Sequence, residues 1–292
     1  MGKRPNKTIH FSPLRYPGGK NCIFPFVSQL LIENRLIGSS YAEPYAGGAG
    51  LALRLLFEGY VEHVYINDLD HSIYSLWYTI LNHPEELCNW IRRVRVTVRS
   101  WNRYKNIQKS TKDVDMYELA KATFFLNRTN ISGVIKGGVI GGQSQHGKYK
   151  IDARFNKADL INRIRKIAEK KDHITLSNLD GLEFIKKMNS KKEPVFIYLD
   201  PPYYQKGADL YMNYYTNSDH ERLSKHVHKI KDKWMVSYDN HEFILNLYAQ
   251  QKKVTYKLSQ SASNRIGDEV LIFSKKLRFR NSIQQLKSPV VS

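Results

Sequence analysis

The run Val195-Phe196-Ile197-Tyr198-Leu199 leads without a break into Asp200-Pro201-Pro202-Tyr203. Five apolar or aromatic residues in succession, two of them β-branched, read as a buried strand. Two consecutive prolines cannot continue a strand ladder, so the strand must end here in a rigid bend. An acidic group and an aromatic are thereby fixed at the carboxyl end of a strand, where open α/β sheets bind their ligands. The plainer alternative is a strand-ending turn with a surface tyrosine.

The remainder of the chain fits such a sheet. Short β-branched or aromatic runs at 40–42, 63–67, 173–177, 195–199, 234–237, 253–260 and 269–275 alternate with helical patterns at 24–34, 49–58, 72–81, 181–188 and 219–231. That alternation marks the α/β class. Ser218 and Glu221 have the spacing of a capping box before the last helix. The final two strands have no helix between them and are expected to pair as an antiparallel hairpin at the sheet edge.

Charge divides the chain. The 292 residues carry a net charge of +19, and +14 of it lies between Arg92 and Lys171. A charge scattered for solubility would not concentrate in this way, whereas a module that follows a phosphate backbone would. Helical patterns at 84–95, 117–126 and 157–170 flank a glycine-rich stretch from Asn130 to Lys150, which reads as turns or a flexible hairpin. Residues 84–171 are therefore expected to form a mainly helical inserted domain bearing a β-hairpin. Residues 1–83 and 172–286 form the sheet domain, and 287–292 a disordered tail.

Two cysteines, Cys22 and Cys88, are too few for a disulfide framework or a four-ligand zinc site. His226 and His228 stand two apart in a helical pattern and cannot share a face, so no metal site is expected. No apolar run approaches the roughly 18 residues that span a bilayer, and the amino terminus lacks a signal-peptide core. A cytoplasmic protein with a polyanionic partner is the expectation.

Two further runs carry chemistry. Tyr41-Ala42-Glu43-Pro44-Tyr45-Ala46-Gly47-Gly48-Ala49-Gly50 reads as a strand, a glycine-rich turn and a helix start, with Asp68 about 20 positions on. That spacing suits a nucleoside ligand whose ribose meets the acid, although a lone glycine loop is as often only a tight turn. Arg15-Tyr16-Pro17-Gly18-Gly19-Lys20 is by itself a turn with basic residues.

Together, and in this order, the three runs resemble the D12 class of adenine-N6-specific DNA methyltransferases, the group that contains the Dam enzymes, in its α arrangement of motifs. The similarity continues through Phe124-Phe125-Leu126-Asn127-Arg128, Ser237-Tyr238-Asp239-Asn240 and Asp268-Glu269-Val270-Leu271-Ile272. It departs from the family's glycine loop at Tyr45 and Ala49, where the family carries Phe and Gly.

The resemblance implies a Rossmann-like, S-adenosyl-L-methionine-dependent sheet domain with an inserted target-recognition domain. It places Tyr16, Gly19 and Lys20 near the methionine end of the cofactor and Glu43, Pro44, Tyr45, Gly47, Gly48 and Gly50 around it. It puts Asp68 on the ribose hydroxyls and Asp180 near the adenine, a residue that equally suits a helix cap. Asp200 and Pro201 would accept the hydrogens of the target amine in double-stranded DNA, within the rigid loop that Pro202 completes, and Tyr203 would stack on the flipped base. Asn127, Arg128, Lys136, Gln143, Ser144, Gln145 and Lys148 would contact DNA. Members that read GATC tend to carry an aromatic, Asn and Arg where this chain has Ile131, Ser132 and Lys136, so a different site is expected. A monomer or weak dimer, with a cognate restriction endonuclease as a further partner, completes the expectation. Methylation of cytosine N4 or of RNA adenine, and a non-catalytic DNA-binding relative, are the competing readings.

Overall fold

The structure is a computed structural model, and it describes residues 10–15, 19–111, 113–205, 215–260 and 265–292. Eight strands form one sheet: β1 (Ser40–Glu43), β2 (His63–Asn67), β3 (Ile174–Ser177), β4 (Val195–Leu199), β5 (Trp234–Asp239), β6 (Lys252–Gln260), β7 (Arg265–Phe273) and β8 (Val290–Val291). Their spatial order is β3-β2-β1-β4-β5-β7-β6-β8. Strands β1 to β5 are parallel, and β7 runs antiparallel between β5 and β6. The expected hairpin is present, with its second strand lying inside its first. The arrangement is Rossmann-like.

Strand β4 shows why the sheet is buried on both faces. Phe196 and Tyr198 point into one core, with α1 (Phe24–Glu33), α2 (Gly50–Phe57) and α3 (His71–Asn82). Val195, Ile197 and Leu199 point into the other, with the helices Gly181–Asn189, Asn217–Val227 and Glu242–Leu247. A period of two sends alternate residues to opposite faces, and helices on both faces leave no polar alternation to read.

Between α3 and β3 the chain inserts α4 (Pro84–Arg93), α5 (Val98–Lys109), α6 (Met116–Thr129) and α7 (Lys157–Glu169). The helices on the second face are then α8 (Gly181–Asn189), α9 (Asn217–Val227) and α10 (Glu242–Leu247). Helices α6 and α7 pack directly on α3. Leu87, Trp101, Phe124, Phe125 and Ile164 join the same continuous core as α1 to α3.

Four sequence expectations need correction. The capping box of α9 is Thr216 with Asp219, because the helix begins at Asn217, two residues before the expected start. The stretch 130–150 is no hairpin ladder: a single bridge joins Asn130 to Val139 and turns make up the rest. Side chains replace the ladder there. Buried Asn130 donates to the carbonyls of Val134 and Ile135 at 2.8 and 2.9 Å. Residues 287–292 are the edge of the sheet, since β8 pairs with β6 and Lys257 donates to the Lys287 carbonyl. The two valines supply β-branched residues to an otherwise open edge. Finally, α5 and α10 were not anticipated.

Candidate active site

Sheet order alone selects a location. From β1 the chain crosses to β2, and from β4 it crosses to β5 on the other side, so a crevice opens between the carboxyl ends of β1 and β4. The glycine loop follows β1 and Asp200 follows β4, which brings two of the sequence motifs to that one crevice.

The turn after β1 is held from several sides. Asn67, wholly buried at the end of β2, donates to the carbonyls of Pro44 and Leu179 at 2.9 Å each. Trp77 donates its indole hydrogen to the Gly47 carbonyl at 2.8 Å. Gly47 has φ +47° and Ala49 has φ +46°, both left-handed. Ala49 therefore occupies a conformation that glycine adopts more readily, which is where the chain departs from the family's loop. Gly50 opens α2.

Asp68 takes the Gly47 and Asp70 amides on its two oxygens, each at 2.9 Å. A carboxylate offers about four acceptor sites, so two remain for hydroxyl groups of a ligand. Burial, with Asp70 adding repulsion, pushes its pKa up to about 7. Asp180 is exposed and caps α8 by accepting the Leu182 amide at 2.9 Å. Tyr45 lies against Gly181, where an added Cβ would sit 2.6 Å from the tyrosine oxygen, and its hydroxyl meets that of Tyr215 at 2.9 Å.

At the end of β4 a polar cluster surrounds Asp200. Its Oδ1 accepts from Ser237 Oγ at 2.6 Å and pairs with Lys20 Nζ at 3.0 Å. Ser237, on β5, is in turn bonded to Tyr198 at 2.8 Å. Lys20 Nζ also donates to the Tyr203 hydroxyl at 2.7 Å, and that hydroxyl donates to Glu269 Oε1 at 2.6 Å. Tyr256 donates to Glu269 Oε2 at 2.7 Å. Burial pushes the Asp200 pKa up, while Lys20 and Ser237 oppose the shift. Glu43, at the end of β1, accepts from Tyr41 at 2.9 Å and is pushed up to about 8, chiefly by burial. Asp239, at the end of β5, fixes the segment after the prolines by accepting the Tyr204 and Gln205 amides at 2.9 and 2.8 Å.

Sequence reasoning did not single out Glu269, Ser237, Asp239 or Tyr256 as site residues. Glu269, Ser237 and Asp239 stood in motifs of the resemblance, and for the two acids a carboxylate within or ending an apolar strand was the available signal. Tyr16 lies outside the described residues. Lys20 engages Asp200 and Tyr203, so its charge is directed into the polar cluster at the end of β4. Tyr203 is only 7% exposed with its hydroxyl tied inward, which does not suit the expected stacking on a base.

Two expected DNA contacts are corrected. Asn127 is 1% exposed: its Nδ2 donates to the carbonyls of Arg15 and Gly133, and its Oδ1 accepts the Arg15 amide. It clamps the segment leading to Lys20 and has no face for DNA. Gln145 braces its own loop, donating to the carbonyls of Ile140 and Gly142 and accepting the Ile151 amide. Arg128 donates to the carbonyls of Arg154 and Pro13. Lys136, Gln143, Ser144 and Lys148 are exposed on the glycine-rich stretch.

An acidic crevice at the switch point of a parallel sheet, with a left-handed loop on one wall and Asp-Pro-Pro on the other, is the frame of an enzyme that holds a nucleoside-type ligand beside a reacting group. The sequence pattern of the D12 class N6 adenine-specific DNA methyltransferases matches residues 16–262, and the chain belongs to that family. It is 26% identical over 246 residues to the type II methyltransferase M.CviBI of Paramecium bursaria Chlorella virus NC1A, covering 80% of this chain and 86% of that one. With the type II methyltransferase M1.LlaDCHI of Lactococcus lactis subsp. cremoris it shares 22% identity over 198 residues, 65% of this chain and 64% of the relative. A solved structure from Pyrococcus horikoshii, described as a candidate RNA methyltransferase, overlaps 93% of this chain and 88% of its own at 12% identity and a TM-score of 0.41. At that level of overlap nothing about this chain follows from it. Methylation of DNA is the family's activity. Among the described residues no helix is long and apolar enough to cross a membrane, and no group of three or more His, Cys, Asp or Glu is placed to hold a metal.

Proposed function

We propose that the protein transfers a methyl group from S-adenosyl-L-methionine to the exocyclic N6 of adenine in a short site in double-stranded DNA, after flipping the base, as the modification half of a type II system. The observation that carries this reading is the Asp200 carboxylate, oriented by Ser237 and Lys20 across the crevice from the glycine loop.

The donor set suits a cationic, hydroxylated cofactor. Glu43, Asp68, Asp180, Asp200 and Glu269 line or approach the crevice, with Lys20 as the cation paired to Asp200. Gly19, Glu43 to Gly50, Asp68 and Asp180 would hold it. When bound, S-adenosylmethionine supplies a methyl on a sulfonium, open to in-line attack.

The adenine amine is a poor nucleophile because its lone pair is delocalised into the ring. Asp200 counters that by accepting one N6 hydrogen on Oδ2, since Oδ1 is already engaged by Ser237 and Lys20. The Pro201 carbonyl accepts the other, and the nitrogen becomes more tetrahedral. Two prolines and the two amides bound by Asp239 keep these acceptors still, so positioning and electrostatics lower the barrier. A paired adenine cannot reach this depth, and flipping it costs a few kcal/mol. Phosphate contacts from residues 84–171 offset that cost, with Lys136, Gln143, Ser144 and Lys148 nearest the bases.

The test is expression in a methylation-deficient bacterium, followed by sequencing that reports modified bases. The parent should mark adenine at one short motif. Asp200→Ala should lose at least about 100-fold of that activity while binding DNA as the parent does. Undiminished marking by the variant, or marking of cytosine, would sink the assignment.

A further inference from the structure

Tyr45, on the turn after β1, brings a hydroxyl to the start of α8 and to a third element. Its oxygen leaves no room for a side chain at Gly181, directly after Asp180, and it meets the Tyr215 hydroxyl at 2.9 Å. Tyr215 immediately precedes the Thr216 cap of α9 and belongs to none of the sequence motifs. Its ring stands edge to face with Tyr45, centroids 6.1 Å apart at 82°, and with His220, 5.4 Å apart at 62°. His220 is wholly buried and is itself bonded to Tyr238 at 2.9 Å. Neighbours from three elements thus fix the phenol at the Asp180 end of the crevice.

Two phenols that share one hydrogen bond have one hydrogen left over. Among the described residues that hydrogen has no acceptor. A hydroxyl drawn partly out of water without a partner is unfavourable for the fold, so its placement calls for a ligand. Burial pushes the Tyr215 pKa up to about 12, the bond from Tyr45 opposes the rise, and the Asp180 charge adds to it. Tyr215 is therefore a neutral donor that feels the Asp180 charge and, among the described residues, makes no hydrogen bond to it.

Asp180 is exposed and commits Oδ1 to the Leu182 amide, which keeps Oδ2 for a further donor. A hydroxyl hydrogen beside a carboxylate oxygen is complementary to the amino edge of adenine, where N6 donates and a neighbouring ring nitrogen accepts. We propose that Tyr215 is a specificity-determining residue of the cofactor site: its hydroxyl donates to a ring nitrogen of the S-adenosylmethionine adenine, next to the amino group that Asp180 accepts. With Tyr45 donating to Tyr215, each hydroxyl hydrogen then has an acceptor.

The inference rests on the methyl-transfer reading, and its test needs no turnover. Calorimetry compares S-adenosylhomocysteine with two deaza analogues, in which C–H replaces either N1 or N7 of the adenine, on the parent and on Tyr215→Phe. The parent should bind one of the two analogues about three- to tenfold more weakly than the adenine ligand, because the hydroxyl then faces a group that cannot accept. Tyr215→Phe should weaken the adenine ligand by a similar factor and leave that analogue at its parental affinity. Equal weakening of all three ligands in the variant would make Tyr215 only a brace for Tyr45 and overturns the proposal, as does parental affinity of the variant for the adenine ligand. A parent that binds all three alike overturns it without any variant, so the proposal stays testable should Tyr215→Phe fail to fold. A parent that does not bind S-adenosylhomocysteine overturns the methyl-transfer reading and this proposal with it.

Discussion

Glu43 illustrates what the crevice demands of single residues. It is buried with the Tyr41 hydroxyl as a donor, and its pKa is pushed from 4.5 up to about 8. A carboxyl whose folded pKa lies above its unfolded value binds protons more tightly in the folded state. Its contribution is therefore full below about pH 4.5 and is lost as pH rises toward 8, at roughly 1.4 kcal/mol per pH unit. Chemical denaturation of the cofactor-free protein from pH 5 to 8 should show stability falling along this limb. Glu43→Gln should make the limb shallower by the share of one group, since an amide cannot ionise, while Asp68 and Asp200, also raised by burial, keep theirs; an unchanged slope would place the titration elsewhere. A bound cation would favour the ionised form, so the same residue that weakens the empty protein strengthens the loaded one.

Elements differ in how far their sequences announce them. Strand β4 was legible to the residue, because a run of apolar side chains closed by two prolines has one reading. Helix α5 was not: Val98–Lys109 buries only Trp101 and Tyr104, a stripe too thin to show a period, and it is completed by packing on α6. The start of α9 slipped because Thr216 with Asp219 and Ser218 with Glu221 fit the same pattern two residues apart. The site divides likewise. Residues in local motifs after β1 and β4 could be given roles, whereas Glu269 and Ser237, although they stood in motifs of the resemblance, are brought to Asp200 and Tyr203 by strand pairing, which no local window contains. Asn127 was misread for the same reason, since its partners Arg15 and Gly133 come from distant or irregular chain. Asn127→Ala should leave those backbone groups unpaired and destabilise the protein by about 1–3 kcal/mol in urea unfolding. A variant of parental stability with a selective loss of DNA binding would return the residue to the DNA interface.

At the scale of the molecule, charge and core divide the chain differently. The +14 between Arg92 and Lys171 sets one segment apart, yet its helices share a core with α3 and the sheet. A segment whose apolar face is completed by another is not an independent folding unit. Thermal unfolding of the whole chain should then give one cooperative transition, and two resolved transitions would show the insert to be autonomous. The basic insert is thus braced on the sheet, and Asn127, Arg128 and Arg163 also clamp residues 12–15 just before Lys20. What the insert adds on its own account is charge directed outward. Each phosphate neutralised contributes about −0.9 to the slope of log affinity against log salt. Replacing the exposed Lys136 and Lys148 with Ala should therefore make the slope shallower by nearly two for duplex DNA, measured by fluorescence anisotropy. Binding of S-adenosylmethionine should not change, because both lysines are exposed on the glycine-rich stretch and neither is among the residues proposed to hold the cofactor. Loss of cofactor binding together with the salt slope would mean that the two surfaces are one.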